Sequence, residues 1–397
     1  MSESPKSTVP LLMAGALVVA AVVLWLRQPP VEPSPTPIVG TDTAPGTVVK
    51  PDEQTPGERD LPPVVPEDAD ETASPVQIEL PPLSVLAEPP DWDSLEIFQE
   101  TITRADFEAL LGGVFTTSES WRQFIEVDEE KAVIKTRGAT DEEHFVLKFA
   151  PTGETAAPLP RTWRPGTGLP PAPVDKPLQG LHLAIDPGHI GGEWAKMEER
   201  WFSLNNEPPV TEGDMTLKVA NMLKPVLEKQ GARVTMVREK TEPITPMRPE
   251  MLMEIAADET DGSPAAMQRL AERLFYRTAE IRARAHVVNH AIQPDLVLCL
   301  HFNAEGWGDP AKPTLVPKTH FHILLNGGYT DSEVALADQR FAMLKKLLQR
   351  THEEEALVGA TVADVFAEAS GLPPYTYPAN APNVRPVGGH PYMWARN

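Results

Sequence analysis

Leu181-His-Leu-Ala-Ile-Asp-Pro-Gly-His189 is the stretch on which the fold is read. Leu181, Leu183, Ala184 and Ile185 form the apolar run of a buried strand, and Asp186-Pro187-Gly188 ends it abruptly. His189 is left on the turn at the strand's carboxyl end. In open α/β sheets that edge collects ligands, because the loops leaving the strands converge there. Asp295-Leu-Val-Leu-Cys-Leu-His301 repeats the arrangement far downstream. Two imidazoles at two such ends are the expected ligands of one Zn2+ ion.

Outward from this stretch, strands alternate with helices. A helix is expected over Glu212–Gln230, stopped by Gly231, then a strand over Ala232–Arg238. A long helix, Pro264–Ala291, carries Leu270, Leu274, Ile281, Ala285 and Val288 on one amphipathic face. Strands over Asp295–His301 and Thr319–Leu325 and a helix over Ser332–Arg350 follow. Beyond Arg350, Pro-rich loops run to Asn397. The pattern predicts an α/β fold with a mostly parallel sheet and helices on both faces, preceded by a small α+β module and a disordered linker.

The chain of 397 residues is uneven in composition, with much of its 44 prolines and of its net charge of −22 lying before residue 91. Such acidity argues against nucleic acid as a partner. Residues 1–8 read as a cytoplasmic N-terminus and 9–27 as an uncleaved transmembrane signal anchor, a cleaved export signal being the alternative. Residues 28–90 form a disordered Pro/acidic linker. Residues 91–150 form the α+β module, with a helix from Thr103 to Leu111, capped by Thr103 and Asp106, followed by three strands. A Pro-rich linker, 151–178, leads to the main domain, 179–397. Cys299, the single cysteine, reads as a small core residue.

Two histidines and a carboxylate make a common catalytic zinc set. Glu193, Glu198, Glu199 and Glu207 all lie in the loop after His189, and no pattern constrains them. In Thr211-Glu-Gly-Asp214, Thr211 is an expected N-cap and Asp214 its capping-box partner, which puts Glu212 at the first helical position. The helix dipole there favours the ionised form that a metal needs. Glu212 is equally an ordinary helix-start residue.

Four motifs in order resemble the zinc-dependent N-acetylmuramoyl-L-alanine amidases of bacteria, the amidase_3 type. They are Ile185-Asp-Pro-Gly-His189, Thr211-Glu-Gly-Asp-Met-Thr-Leu-Lys-Val-Ala220 with Leu227–Arg238, the pair Arg284 and Asn289, and Cys299-Leu-His-Phe-Asn-Ala304. The resemblance covers about residues 179–350 and implies zinc held by His189, Glu212 and His301. It also implies cleavage of the amide between N-acetylmuramic acid and L-alanine in peptidoglycan, with Asn303 and Arg284 on the substrate side. The expected location is the bacterial cell envelope, anchored in the inner membrane with the catalytic domain outside the cytoplasm.

Family members carry a second glutamate as general base on a last strand. After Arg350 no apolar strand bearing a glutamate is expected here, and Glu305 is the in-chain candidate. Two alternatives stay open. One is a zinc peptidase of carboxypeptidase type, which would hold a substrate carboxylate with Arg284 or Arg248. The other is a wall-binding or regulatory homologue without turnover. His182, His286, His290, His352 and His390 read as structural, the last two in loops, and His322 as a core or edge residue. Trp194, Trp201 and Trp307 fall in loops around the proposed metal.

Overall fold

The computed structural model describes residues 83–397 except 141, 205, 206, 261, 304–314 and 380. The expected anchor, most of the 28–90 linker, Glu305 and Trp307 therefore lie outside the described residues. Among those described, no helix is long and apolar enough to cross a membrane.

Helix α1 (Arg104–Leu110) starts where the Asp106 N–H donates to the Thr103 hydroxyl at 3.1 Å. Strands β1 (Ile125–Val127), β2 (Lys131–Lys135) and β3 (His144–Lys148) pair antiparallel in that order. Strand alternation turns Ala132, Ile134, Phe145 and Leu147 inward. They meet Phe98, Phe107, Leu111 and Trp121, and the same core continues into Met343, Leu344, Leu347 and Leu348 near the other end of the chain.

The parallel sheet has β4 (His182–Pro187) at its centre. A short hairpin, β5 (Trp201–Phe202) with β6 (Val210–Thr211), rises from the loop after it. Helix α2 (Glu212–Lys229), strand β7 (Arg233–Met236) and, later, strand β8 (Leu296–Leu300) complete a sheet of order β7-β4-β8. Leu183, Ile185, Val234 and Met236 pack on Ala220, Leu223 and Leu227 of α2. A helical run of α3 (Pro264–Arg273) and α4 (Glu280–His286) follows, and Arg284 of α4 reaches Asp186 of β4. A π turn over Leu274–Ala279 joins them, and a second π turn, Val287–Ile292, follows.

That run departs from the expected stripe. One inserted residue per π turn rotates the next helical segment by about 100°. Ile281 is consequently 58% exposed and Ala285 also faces out, while Glu280 and Arg284 are buried. Cys299, expected in the core, is exposed on β8.

Strand β9 (Ile323–Leu325) is followed by α5 (Ala337–Gln349) and α6 (Thr351–Ser370). Helix α6 corrects the expectation of Pro-rich loops directly after Arg350 and places His352 in a helix. Arg350 adopts a left-handed conformation, φ 57°, which bends the chain between the two helices. Gly359 lets α6 sit close against Leu325, Ile323 and Met393. Strands β10 (Arg385–Pro386) and β11 (Met393–Ala395) then join β9 in a second sheet, with β11 parallel to β9. A strand therefore does lie in the C-terminal stretch, and it carries no glutamate.

Both linkers are docked where described. The Ser84 N–H and hydroxyl donate to Asp338 at 2.8 and 3.0 Å, so ordered packing begins before residue 91. In the 151–178 stretch, the Trp163 indole donates to the Gln349 carbonyl at 3.0 Å and Arg164 donates to Asp295 at 2.8 Å. Leu159 and Leu169 each rest on a different core.

Candidate metal centre

The register pairs Pro187 with Leu300, so β4 and β8 end side by side and release their histidines at one edge. The Gly188 N–H donates to the Leu300 carbonyl at 2.9 Å. The imidazoles of His189 and His301 then stand with ring centroids 5.1 Å apart and planes at 87°. The absence of a side chain at Gly188 leaves room for the His301 ring, which a Cβ there would displace.

Glu212 opens α2 and reaches into the same space. Its Oε2 lies 3.3 Å from His189 Nε2, and its Oε1 lies 3.3 Å from His301 Nδ1. The Phe302 N–H donates to Oε1 at 2.9 Å. One ligand atom from each of the three side chains falls within 4.8 Å of the others. A tetrahedral zinc with bonds of about 2.0–2.2 Å has neighbouring donors about 3.3–3.6 Å apart. Two imidazoles and a carboxylate at these separations fit such an ion with small movements.

Electrostatics agree with that fit. Burial alone would raise the Glu212 carboxyl, but hydrogen bonds to His189 and His301, the His189 charge and the Phe302 N–H pull it down to about 2. It is ionised throughout the neutral range. Burial disfavours the His189 imidazolium, yet Glu198 and Glu212 together raise its pKa above the ordinary value. A metal binds the ring nitrogen only in its unprotonated form.

His189 itself is left-handed, φ 61°, a conformation uncommon outside glycine. It persists because its neighbours over-determine it. Arg284 donates to the His189 carbonyl at 2.8 Å, to the Pro187 carbonyl at 2.8 Å and to Asp186 at 3.0 Å. Its remaining Nε–H goes to Glu280 at 2.8 Å. Buried Arg238 donates to the Gly213 carbonyl at 2.9 Å, and the Thr216 hydroxyl donates to the Gly188 carbonyl at 2.7 Å. On the far side, the Ile190 N–H donates to Glu198 at 2.9 Å.

Several expected roles change. Arg284, expected at the substrate, is 6% exposed and donates to Glu280, Asp186 and the Pro187 and His189 carbonyls. Asn303 is exposed two residues beyond His301, where a bound molecule can reach it. The Thr211–Asp214 capping box does not form. Thr211 Oγ1 is buried with no partner, Asp214 accepts from the Gly192 N–H at 2.9 Å, and the Glu212 N–H goes to the Arg200 carbonyl at 3.0 Å. The loop thus caps α2 in place of its own N-cap side chain.

Glu193, Glu199 and Glu207 are exposed, whereas Glu198 is buried. Arg200, unmarked by any sequence pattern, brings its Nε to 3.9 Å from Glu212. His322 packs among Tyr375 and Tyr377, and Trp194 packs on Phe275 beneath Arg248. Trp201 remains 41% exposed, with Lys196 over its ring.

Residues 183–355 match the family model described as N-acetylmuramoyl-L-alanine amidase, Amidase_3. The germination-specific N-acetylmuramoyl-L-alanine amidase of Bacillus subtilis (strain 168) is 27% identical over 132 residues, covering 33% of this chain and 43% of that protein. The probable cell wall amidase LytH of Staphylococcus saprophyticus is 38% identical over 73 residues, covering 18% and 23%. Its Staphylococcus aureus counterpart is 42% identical over 62 residues, covering 16% and 19%. The chain thus spans less than half the length of these curated relatives. No solved structure matches it.

Proposed function

Residues 183–355 belong to the N-acetylmuramoyl-L-alanine amidase family, and from that premise we propose that the chain is a zinc-dependent amidase of the bacterial wall. Its substrate is the amide joining N-acetylmuramic acid to the L-alanine of the peptidoglycan stem. The observation that carries this reading is the convergence of His189, Glu212 and His301, from two strand ends and a helix start, within 4.8 Å. These three residues would hold the ion.

Zinc held by His189, Glu212 and His301 would supply Lewis-acid chemistry, which can acidify water and polarise an amide carbonyl. The chain's own residues supply the rest. Glu212 is ionised at neutral pH and so enters the site as an anion without losing a proton. Arg284 holds the Pro187 and His189 carbonyls and Arg238 holds the Gly213 carbonyl of α2, so that little rearrangement is needed when the ion binds. Asn303 and Trp201, both exposed, are available to the sugar or the stem. A membrane anchor over residues 9–27 and a location outside the cytoplasm belong to the same proposal.

The carboxypeptidase alternative needs an arginine free to grip a carboxylate. Arg284 is engaged on four groups, and Arg248 donates to the Thr245 and Met247 carbonyls while stacking on Trp194. Both facts weigh against it. Incubation with purified peptidoglycan tests the proposal through the new ends formed. Free L-alanine amino termini, with intact glycan chains, are expected. They should vanish with His189→Ala or His301→Ala as zinc is lost. Retained stoichiometric zinc in either variant, or release of C-terminal amino acids only, would refute the assignment.

A further inference from the structure

We infer that Glu198 is a positioning residue for the metal centre, holding the His189 imidazole from the side away from the ion. This inference rests on the zinc reading of the His189, Glu212 and His301 triad. Glu198 is 5% exposed and sits at the end of the short helical turn after β4. Its Oε2 accepts the Ile190 N–H at 2.9 Å, and a weaker contact reaches the Gly191 N–H at 3.4 Å. Its Oε1 stands 3.7 Å from His189 Nδ1, while Nε2 of the same ring points at Glu212. The two ring nitrogens thus face two different carboxylates, one at the ion site and one behind it.

A neutral imidazole that binds a cation through Nε2 carries its proton on Nδ1. That N–H needs an acceptor, and the carboxylate beside it is Glu198, whose Oε1 at 3.7 Å is a small movement from hydrogen-bond length. A carboxylate behind a metal histidine fixes tautomer and ring angle and strengthens the ring as a donor. Glu198 also accepts from the backbone of the residue after left-handed His189, so one side chain fixes both the ring and its backbone. The long β4-to-α2 loop, which otherwise carries exposed glutamates, is thereby tied to the ion site.

Glu198→Gln tests the assignment in the full-length protein. The glutamine carbonyl can still accept the Ile190 N–H, so the loop keeps its tie, but its amide presents a donor to His189 Nδ1–H. Zinc affinity, measured by competition with a chromogenic chelator, is expected to fall about 10–100-fold. Glu199→Gln, an exposed neighbour, should leave it unchanged. The melting temperature of the zinc-free protein should move little in either variant.

A second measurement does not depend on the variant folding. In the zinc-loaded wild type, nitrogen NMR should show His189 bound to the metal through Nε2 and protonated at Nδ1. Equal zinc affinity in wild type and Glu198→Gln, or a His189 bound through Nδ1, would overturn the inference. Failure of the wild type to take up zinc at all would instead sink the metal reading, and the inference with it.

Discussion

The two halves of the molecule hold their shape by opposite means. Around β1–β3 the interior is built of large apolar groups, Phe98, Phe107, Phe115, Trp121 and Ile134, packed against α5. Around the end of β4 the interior is a lattice of charges and carbonyls: Arg238, Arg284, Glu280, Asp186 and Glu198. Apolar burial is non-directional and gives stability without aiming any atom. A charged network in low dielectric aims atoms closely but is costly when any member is lost. Among the described residues, that charged network gathers where three ligands meet, while the apolar interior also encloses buried Arg340.

That contrast can be broken from either side. Arg284→Met should be the most damaging, since it removes the guanidinium paired with buried Glu280 and frees the His189 carbonyl. A loss of about 3–5 kcal/mol in urea unfolding is expected, together with loss of zinc at micromolar concentration. Trp121→Ala should cost about 3–5 kcal/mol by opening a cavity, with zinc affinity in the folded fraction unchanged. If Trp121→Ala weakened zinc as much as Arg284→Met did, the two interiors would not be separable in this way.

Acid offers a gentler probe of the polar half. The Glu212 pKa, about 2 when folded, lies below its ordinary value of 4.5. Its stabilisation is therefore fully present above about pH 5 and is lost as pH falls towards 2. In the zinc-free protein this amounts to on the order of 3 kcal/mol. Urea titrations of wild type and Glu212→Gln at pH 6 and pH 3 should show the gap between them closing as pH falls. The smallest effect is expected from Arg200→Ala. Its pair with Glu212 is long and part-exposed, 3.9 Å, so stability should change by less than about 1 kcal/mol.

Much of this can be read from the sequence where local pattern and tertiary environment agree. The apolar runs before His189 and His301 are set by short-range signals, whereas α2 starts at Glu212 as expected but is held there by loop contacts and not by the expected capping box. The outer shell is not legible in the same way. Glu198 is one of four glutamates in a loop without periodicity, and only the fold shows that it alone is buried. Arg284 reads as available because a sequence does not reveal which donors are already engaged. The face of the long helix is misjudged because a π turn leaves no clear mark in the residues that form it. Helix α6 is hidden by its even mixture of Ala, Val, Glu and Gly359, which gives a weak stripe, and by the prolines after it.

The segment before β4 is also less separable than its composition suggests. Arg340 of α5 is fully buried and donates to the carbonyls of Lys135 and Arg137 while its guanidinium lies over Phe124. Ser84 grips Asp338 on the same helix. Mechanically, a pull on the chain upstream of residue 83 is taken up first by that grip and by the interior that residues 95–149 share with α5. Tension is diverted into the far end of the fold before it reaches the strand that carries His189.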